Sequence, residues 1–198
     1  MNIARQRPLF CIGIGCSAGG LESACEFFQQ VVEKTGAAFV IIPHLGREHK
    51  SKFNTILERF TNMPVHRVED DIALEMDHVY VLAEDRMMIV EDVYLRVRKR
   101  YSREVINKSI DIFFISMAKV FQENGIGIIL SGMGNDGIEG ISVIEGHHGL
   151  VIVQDPDTTD FNVLPQGAIN KDDPHAILPP ADIARFLLKY LRIDKSIT

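Results

Sequence analysis

Three side chains suited to nucleophilic catalysis stand far apart in the chain, each shortly after an apolar run: Ser17, His44 and Asp136. Ser17 is the centre of Gly15-Cys16-Ser17-Ala18-Gly19, a G-x-S-x-G pattern whose small flanks permit the sharp strand-to-helix turn that exposes a nucleophile. A free serine hydroxyl is a poor nucleophile near neutral pH, so it needs a base, and the imidazole of His44 is the expected one. Asp136 is the group expected to fix the tautomer of His44 and to stabilise the imidazolium formed during attack, a task for which the neutral Asn135 is less suited. The glycine-flanked stretch Gly132-Met133-Gly134 can aim backbone N–H groups at a developing oxyanion. Each residue also has a plainer reading. Ser17 could cap a helix after a glycine-rich connection, His44 could end a strand, and Asp136 could cap the helix that starts near Gly137.

Competing chemistries find less support. Gly13, Gly15 and Ala18 satisfy a dinucleotide-binding fingerprint, but that motif expects a carboxylate at the end of the next strand, where this chain has Ile42-Pro43-His44. His44, Glu48 and His49 have a spacing that places the two histidines on different helix faces, and Asp155, Asp157 and Asp160 lack the glycine and terminal glutamate of a calcium loop. Neither a metal nor an organic cofactor is expected. Cys11, Cys16 and Cys25 are odd in number and lack metal spacing, which fits reduced thiols in a cytoplasm.

These residues need elements to hold them. Leu9 to Ile14, Ala37 to Ile42, Val79 to Leu82, Ile126 to Leu130 and Leu150 to Val153 are short runs apolar throughout, the mark of parallel strands covered on both faces. Helical spacing connects them: Leu21 to Val32, Phe53 to Phe60, a helix carrying Ile112 to Phe121 that Ser109 could cap, Ile138 to Ile144, and a last helix after Pro179-Pro180. Met87 to Val90 and Tyr94 to Val97 read as a hairpin. The expectation is an α/β fold, a doubly wound and mostly parallel sheet flanked by helices with a small antiparallel hairpin. It is read as one domain over residues 1–198 with a core over about 8–192. In such a sheet ligands collect beyond the carboxyl ends of the strands, so serine, histidine and aspartate fall on one rim. The chain order Ser, His, Asp disfavours an ordinary α/β-hydrolase, which runs Ser, acid, His.

Composition narrows the partners. The 198 residues are 46% hydrophobic and 24% charged with a formal charge of −6, which argues against disorder and against nucleic-acid binding by bulk counterion release. No run approaches the roughly 18 apolar residues of a membrane span, and the stretch after Arg5 and Arg7 is too short and glycine-broken for a signal peptide. Arg96, Arg98, Lys99, Arg100 and Arg103 form the one dense basic block, either a solvated arm or a docking patch (Arg96, Arg98, Arg100) for an acidic partner.

Three stretches, Ile12-Gly13-Ile14-Gly15-Cys16-Ser17-Ala18-Gly19-Gly20, Pro43-His44 and Leu130-Ser131-Gly132-Met133-Gly134-Asn135-Asp136-Gly137, resemble the catalytic domain of the CheB family of chemoreceptor protein-glutamate methylesterases. The likeness extends through Val79-Tyr80-Val81 and Leu164-Pro165-Gln166-Gly167-Ala168-Ile169, and covers roughly residues 8 to 190. It implies a catalytic triad of Ser17, His44 and Asp136 that hydrolyses γ-glutamyl methyl esters on the cytoplasmic helices of methyl-accepting chemoreceptors, in chemotaxis and two-component signalling, and in many members deamidates selected glutamines. Cys16, Pro43 and Leu164 depart from residues common in the family (alanine, glutamine and methionine), and the cysteine is expected to crowd the elbow or expose it to oxidation. The phosphoacceptor receiver domain of the familiar enzyme has no counterpart in these residues, so the resemblance leaves two expectations: activity unregulated by phosphorylation, or a receiver or methyltransferase domain as partner on the same or another chain. A non-catalytic signalling or scaffold module of the same fold is the alternative from another class.

Overall fold

The computed structural model describes residues 10–47 and 50–195. Strand β1 (Phe10–Cys16) is buried along its whole length. Its alternation sorts two faces: Ile12, Ile14 and Cys16 join one core, whereas Cys11 joins the other, with Gly13 and Gly15 on its side. The two glycines are there for packing. A Cβ on Gly13 would lie 2.8 Å from the ring of Phe114, and one on Gly15 would lie 2.5 Å from Ile110. Their absent side chains let helix α3 (Ser109–Phe121) press against β1, and this accounts for the glycine spacing without any phosphate.

The chain continues through α1 (Gly20–Gln30), β2 (Ala37–Pro43), α2 (Phe53–Leu57), β3 (Val65–Val68), β4 (Ile72–Ala73), β5 (Val79–Leu82), β6 (Arg86–Glu91) and β7 (Tyr94–Lys99) to α3. After α3 come β8 (Gly125–Ile129), α4 (Ile138–Gly146), β9 (Leu150–Gln154), α5 (Val163–Lys171), β10 (Ala176–Leu178) and α6 (Pro180–Lys195). Seven strands form one parallel sheet in the order β10-β9-β8-β1-β2-β5-β3, and β4, β7 and β6 form a small antiparallel sheet. This is the doubly wound α/β architecture expected, with the hairpin extended by β4.

Helices α1, α2 and α6 cover one face of the large sheet, while α3, α4, α5 and the small sheet cover the other. The connection reverses direction at β1, which has β2 on one side and β8 on the other. Beyond the carboxyl ends of these strands lies the crevice that open α/β sheets use for binding.

Several elements differ from expectation. The second helix is only Phe53–Leu57, and β3, β10 and α5 come in addition to the expected elements. The two strands are short edges, and α5 holds Pro165 and Gly167 near its start and middle, both poor helix formers. Arg5, Arg7, Glu48 and His49 lie outside the described residues. No helix among the described residues is long and apolar enough to cross a membrane.

Candidate active site

Ser17 and His44 are brought together by strand register. Cys16 of β1 pairs with Pro43 of β2, so the next residue on each strand lies opposite the other, and His44 N–H donates to the Cys16 carbonyl at 2.9 Å. Adjacent strands run about 4.8 Å apart, which sets the scale of their separation. The Ser17 N–H donates to the Ser131 carbonyl at 2.9 Å, tying the elbow to the loop after β8. Gly19 completes the turn at φ 72°, where a Cβ would sit 2.5 Å from Ser131 Oγ and 2.7 Å from the Phe161 ring. Only glycine adopts that conformation without strain, and only glycine leaves the room.

Asp136 reaches the site from the other side of β1. It is 3% exposed, and its Oδ2 accepts a 2.6 Å hydrogen bond from His44 Nε2. A carboxylate can only accept, so the proton of the imidazole sits on Nε2 and the lone pair available to act as base is on Nδ1. The burial of a charge this deep needs further compensation. It comes from the free amides at the start of α3: Ile110 N–H donates to Oδ2 at 2.9 Å and Asp111 N–H to Oδ1 at 3.0 Å. Burial works against ionisation of Asp136, but His44 and these two amides outweigh it and hold the carboxyl below the usual aspartate range.

Asp111 returns the favour, and nothing in its sequence position singles it out. Its Oδ1 accepts from Gly137 N–H at 2.8 Å and Gly140 N–H at 2.9 Å, the first turn of α4, while Lys108 Nζ holds Oδ2 at 2.9 Å. Two helices therefore exchange carboxylates across their N-termini. Asp111 and Asp136 lie close enough that burial, with the neighbouring Asp136 charge adding to it, raises Asp111 despite Lys108. Ser109, expected as a helix cap, instead occupies the first helical position, with its Oγ buried and unpartnered; Asp136 does the capping from outside the helix.

The loop after β8 lies against the serine. A Cβ on Gly132 would come within 3.1 Å of Ser17 Cβ and 2.8 Å of Leu164 Cδ2. The Gly132 N–H, however, donates to the Phe161 carbonyl at 2.8 Å, which removes it from the expected oxyanion donors. Among the described residues, the amides of Ala18, Met133 and Gly134 donate to no protein acceptor. Ser131 is fully buried and braces the elbow through Oγ to the Ala18 carbonyl at 2.7 Å. Ser17 and His44 open onto a cleft of about 320 Å³ walled by Leu21, Leu45, Phe53 and Ile56, with Glu22 and Lys52 also lining it. Cys16 is buried and its thiol is pushed up to about 12 by burial, which disfavours the thiolate and so works against the expected sensitivity to oxidation.

The basic block is not a free patch. Arg96 pairs with Asp71 at 3.0 Å and Glu91 at 2.9 Å, and Arg98 makes a two-point bond with Glu104 at 2.7 and 2.9 Å. Arg100 is buried, donating to the carbonyls of Glu104 and Val105 at 2.6 and 2.8 Å, so it holds the 101–107 loop and cannot face a partner. Arg96 and Arg98 share the exposed face of β7, where acidic side chains meet them, whereas Arg100 follows the end of the strand and turns inward. No cluster of three or more potential metal ligands occurs among the described residues.

A family model described as CheB methylesterase matches residues 12–187. The chain belongs to the CheB methylesterase family. A Leptospira interrogans relative is 28% identical over 190 residues, 93% of this chain and 95% of that one. A Pyrococcus horikoshii relative named protein-glutamate methylesterase/protein-glutamine glutaminase is 25% identical over 186 residues, 92% of this chain and 50% of that protein. The chain thus spans about half the length of that relative, and of the Burkholderia orbicola protein of the same type. The crystal structure of the Thermotoga maritima CheB methylesterase catalytic domain superposes with a TM-score of 0.81 at 21% identity, over 91% of this chain and 98% of that one, and shares the fold.

Proposed function

We propose that this CheB-family chain is a serine esterase that hydrolyses glutamate γ-methyl esters on the cytoplasmic helices of chemoreceptors, and that the same site can deamidate glutamine. The observation that carries the reading is the 2.6 Å bond from His44 to a buried, ionised Asp136, with Ser17 set opposite His44 by strand register. Among the described residues no hydrogen bond joins Ser17 Oγ to His44; such bonds are often long until substrate binds.

On this reading His44 Nδ1 takes the Ser17 hydroxyl proton as Oγ attacks the ester carbonyl. The oxyanion is received by amides among Ala18, Met133 and Gly134, the first of which lies at the N-terminal end of α1, where the helix dipole favours negative charge. His44 then returns the proton to the departing methoxide, releasing methanol, and activates the water that clears the acyl-enzyme. Asp136 stabilises the imidazolium in both steps.

Methanol release from methylated receptor tests the proposal. Ser17→Ala and His44→Ala should each remove nearly all of it, and the double variant should be scarcely slower than either, because such groups act as a unit. A Ser17→Ala protein that kept more than about a tenth of the rate, a loss under roughly 1.4 kcal/mol, would refute the nucleophile assignment. No release from the wild type on any methylated receptor would favour a signalling or scaffold module instead.

A further inference from the structure

The two charged residues that line the cleft beside Ser17 differ in what explains them. Glu22 sits in the first turn of α1, where an acidic residue complements the free amides of the helix start. Lys52 has no such local reason. It occupies the N-cap position of α2 and makes no side-chain cap. The capping work there falls to Ser51, whose Oγ accepts from Phe53 N–H at 3.1 Å. Lys52 is exposed and, like several other lysines, has no acidic partner among the described residues; what sets it apart is its place in the cleft with Ser17 and His44.

The cleft it lines is also larger than one methyl ester requires. About 320 Å³ is the size of a small-ligand pocket, and its walls of Leu21, Leu45, Phe53 and Ile56 are apolar. It can therefore hold more of the substrate than the reacting group. A cation with no acidic partner among the described residues, at such a place, is complemented by an anion, and the anion a glutamate-bearing protein segment offers is a neighbouring, unesterified carboxylate. On a helix, side chains three or four residues apart lie about 5–6 Å from one another on one face.

We propose that Lys52 is a specificity-determining residue that receives a substrate carboxylate about one helical turn from the esterified glutamate. The inference rests on the esterase reading and adds to it which esters are taken. Glutamates with an acidic neighbour on the same helix face are demethylated first, and neutralising that neighbour, by esterification or as glutamine, slows hydrolysis of its partner.

The test uses helical peptides carrying one glutamate γ-methyl ester, with Glu, Gln or Lys at positions three and four residues to either side. With the wild-type chain of 198 residues at low salt, methanol release should rank Glu above Gln above Lys, with about three- to tenfold in kcat/KM between the extremes, as one partly exposed ion pair allows. Lys52→Gln should flatten the ranking and Lys52→Glu should invert it. Fluorescein-labelled versions of the same peptides, titrated by anisotropy into Ser17→Ala and into Ser17→Ala with Lys52→Glu, should show the same order and the same inversion in Kd. A wild-type ranking indifferent to the flanking residue, or one that survives Lys52→Glu, overturns the proposal. Methanol release without the ranking removes only Lys52's role. A charge ranking in binding with no methanol from any peptide removes the esterase reading and leaves the carboxylate site standing.

Discussion

Replacing Asp136 with asparagine is the most informative single change at this site, because its outcome depends on which way the new amide points. Oδ2 accepts two donors, His44 Nε2–H and Ile110 N–H, while Oδ1 accepts one, Asp111 N–H. An NH₂ group at the Oδ2 position would oppose Ile110 N–H and also force His44 out of its working tautomer; at the Oδ1 position it would oppose Asp111 N–H alone. A donor left facing a donor in a buried site costs about 1–3 kcal/mol, so the amide nitrogen should turn toward Asp111 and leave its oxygen on His44. The histidine then keeps its proton on Nε2 and its base on Nδ1. What is lost is the negative charge beside the imidazolium. A charge-assisted hydrogen bond that steadies the imidazolium in the transition state contributes about 1.4–4 kcal/mol, equivalent to roughly a 10- to 1,000-fold slower reaction when it is lost. Asp136→Asn should therefore unfold about 1–3 kcal/mol more easily in urea and release methanol about 10- to 1,000-fold more slowly. That is milder than the loss of about 10,000-fold expected when an amide forces the wrong tautomer. A rate equal to wild type would remove Asp136 from the mechanism. A rate as low as that of Ser17→Ala, with stability unchanged, would show that the amide nitrogen faces His44 and that counting opposed donors does not decide its orientation.

Gly132→Ala places a methyl 2.8 Å from Leu164 Cδ2 and 3.1 Å from Ser17 Cβ, so steady-state assays should show kcat reduced about 10- to 100-fold in a protein that still folds. Glu145 is raised to about 7 by burial and by its hydrogen bond to Asp172, so the folded chain keeps a proton there that the unfolded chain has lost above its ordinary value. Stability is therefore given up as pH climbs from about 4.5 past 7, and Glu145→Gln should raise the unfolding free energy by about 1–2 kcal/mol at pH 8 relative to wild type while changing it little at pH 4.5; thermal melts at the two pH values check the sign. Arg100→Met should cost about 1–3 kcal/mol by leaving the carbonyls of Glu104 and Val105 unpaired, whereas Arg96→Ala, an exposed ion pair, should cost under about 1 kcal/mol; urea titrations separate them.

The strands that carry Ser17, His44 and the Gly132–Asp136 loop were legible because buried parallel strands are apolar throughout, and the residues that follow them necessarily share a rim. The edges were not. β3 reads Val-His-Arg-Val and β10 Ala-Ile-Leu, too short or too polar to separate from loop, and each is held by its neighbour in the sheet instead of by its own propensity. Gly13 and Gly15 look the same in sequence whether they approach a phosphate or a helix, and only the position of Ile110 and Phe114 decides it. Asp111 was invisible for a related reason, since an acidic residue in the first turn of a helix normally serves its own dipole, not another helix. The arginines of the hairpin left a solvated arm and a docking patch both open, because a sequence shows charges without their partners: Asp71, Glu91 and Glu104 arrive from other segments or from across a turn.

The exchange of carboxylates between α3 and α4 makes the acid of the site a structural fastener as well. Asp136 cannot be released from α3 without leaving two helical amides bare, and Asp111 cannot leave α4 without the same penalty. The amides of Ile110, Asp111, Gly137 and Gly140 should consequently report one common opening free energy in hydrogen exchange, as a single opening unit. A site wired this way has no folded form in which the histidine merely loses its partner. Loosening the junction dismantles the site and the packing at once, so proteolytic resistance and turnover should decline in step across any series of variants that weaken it.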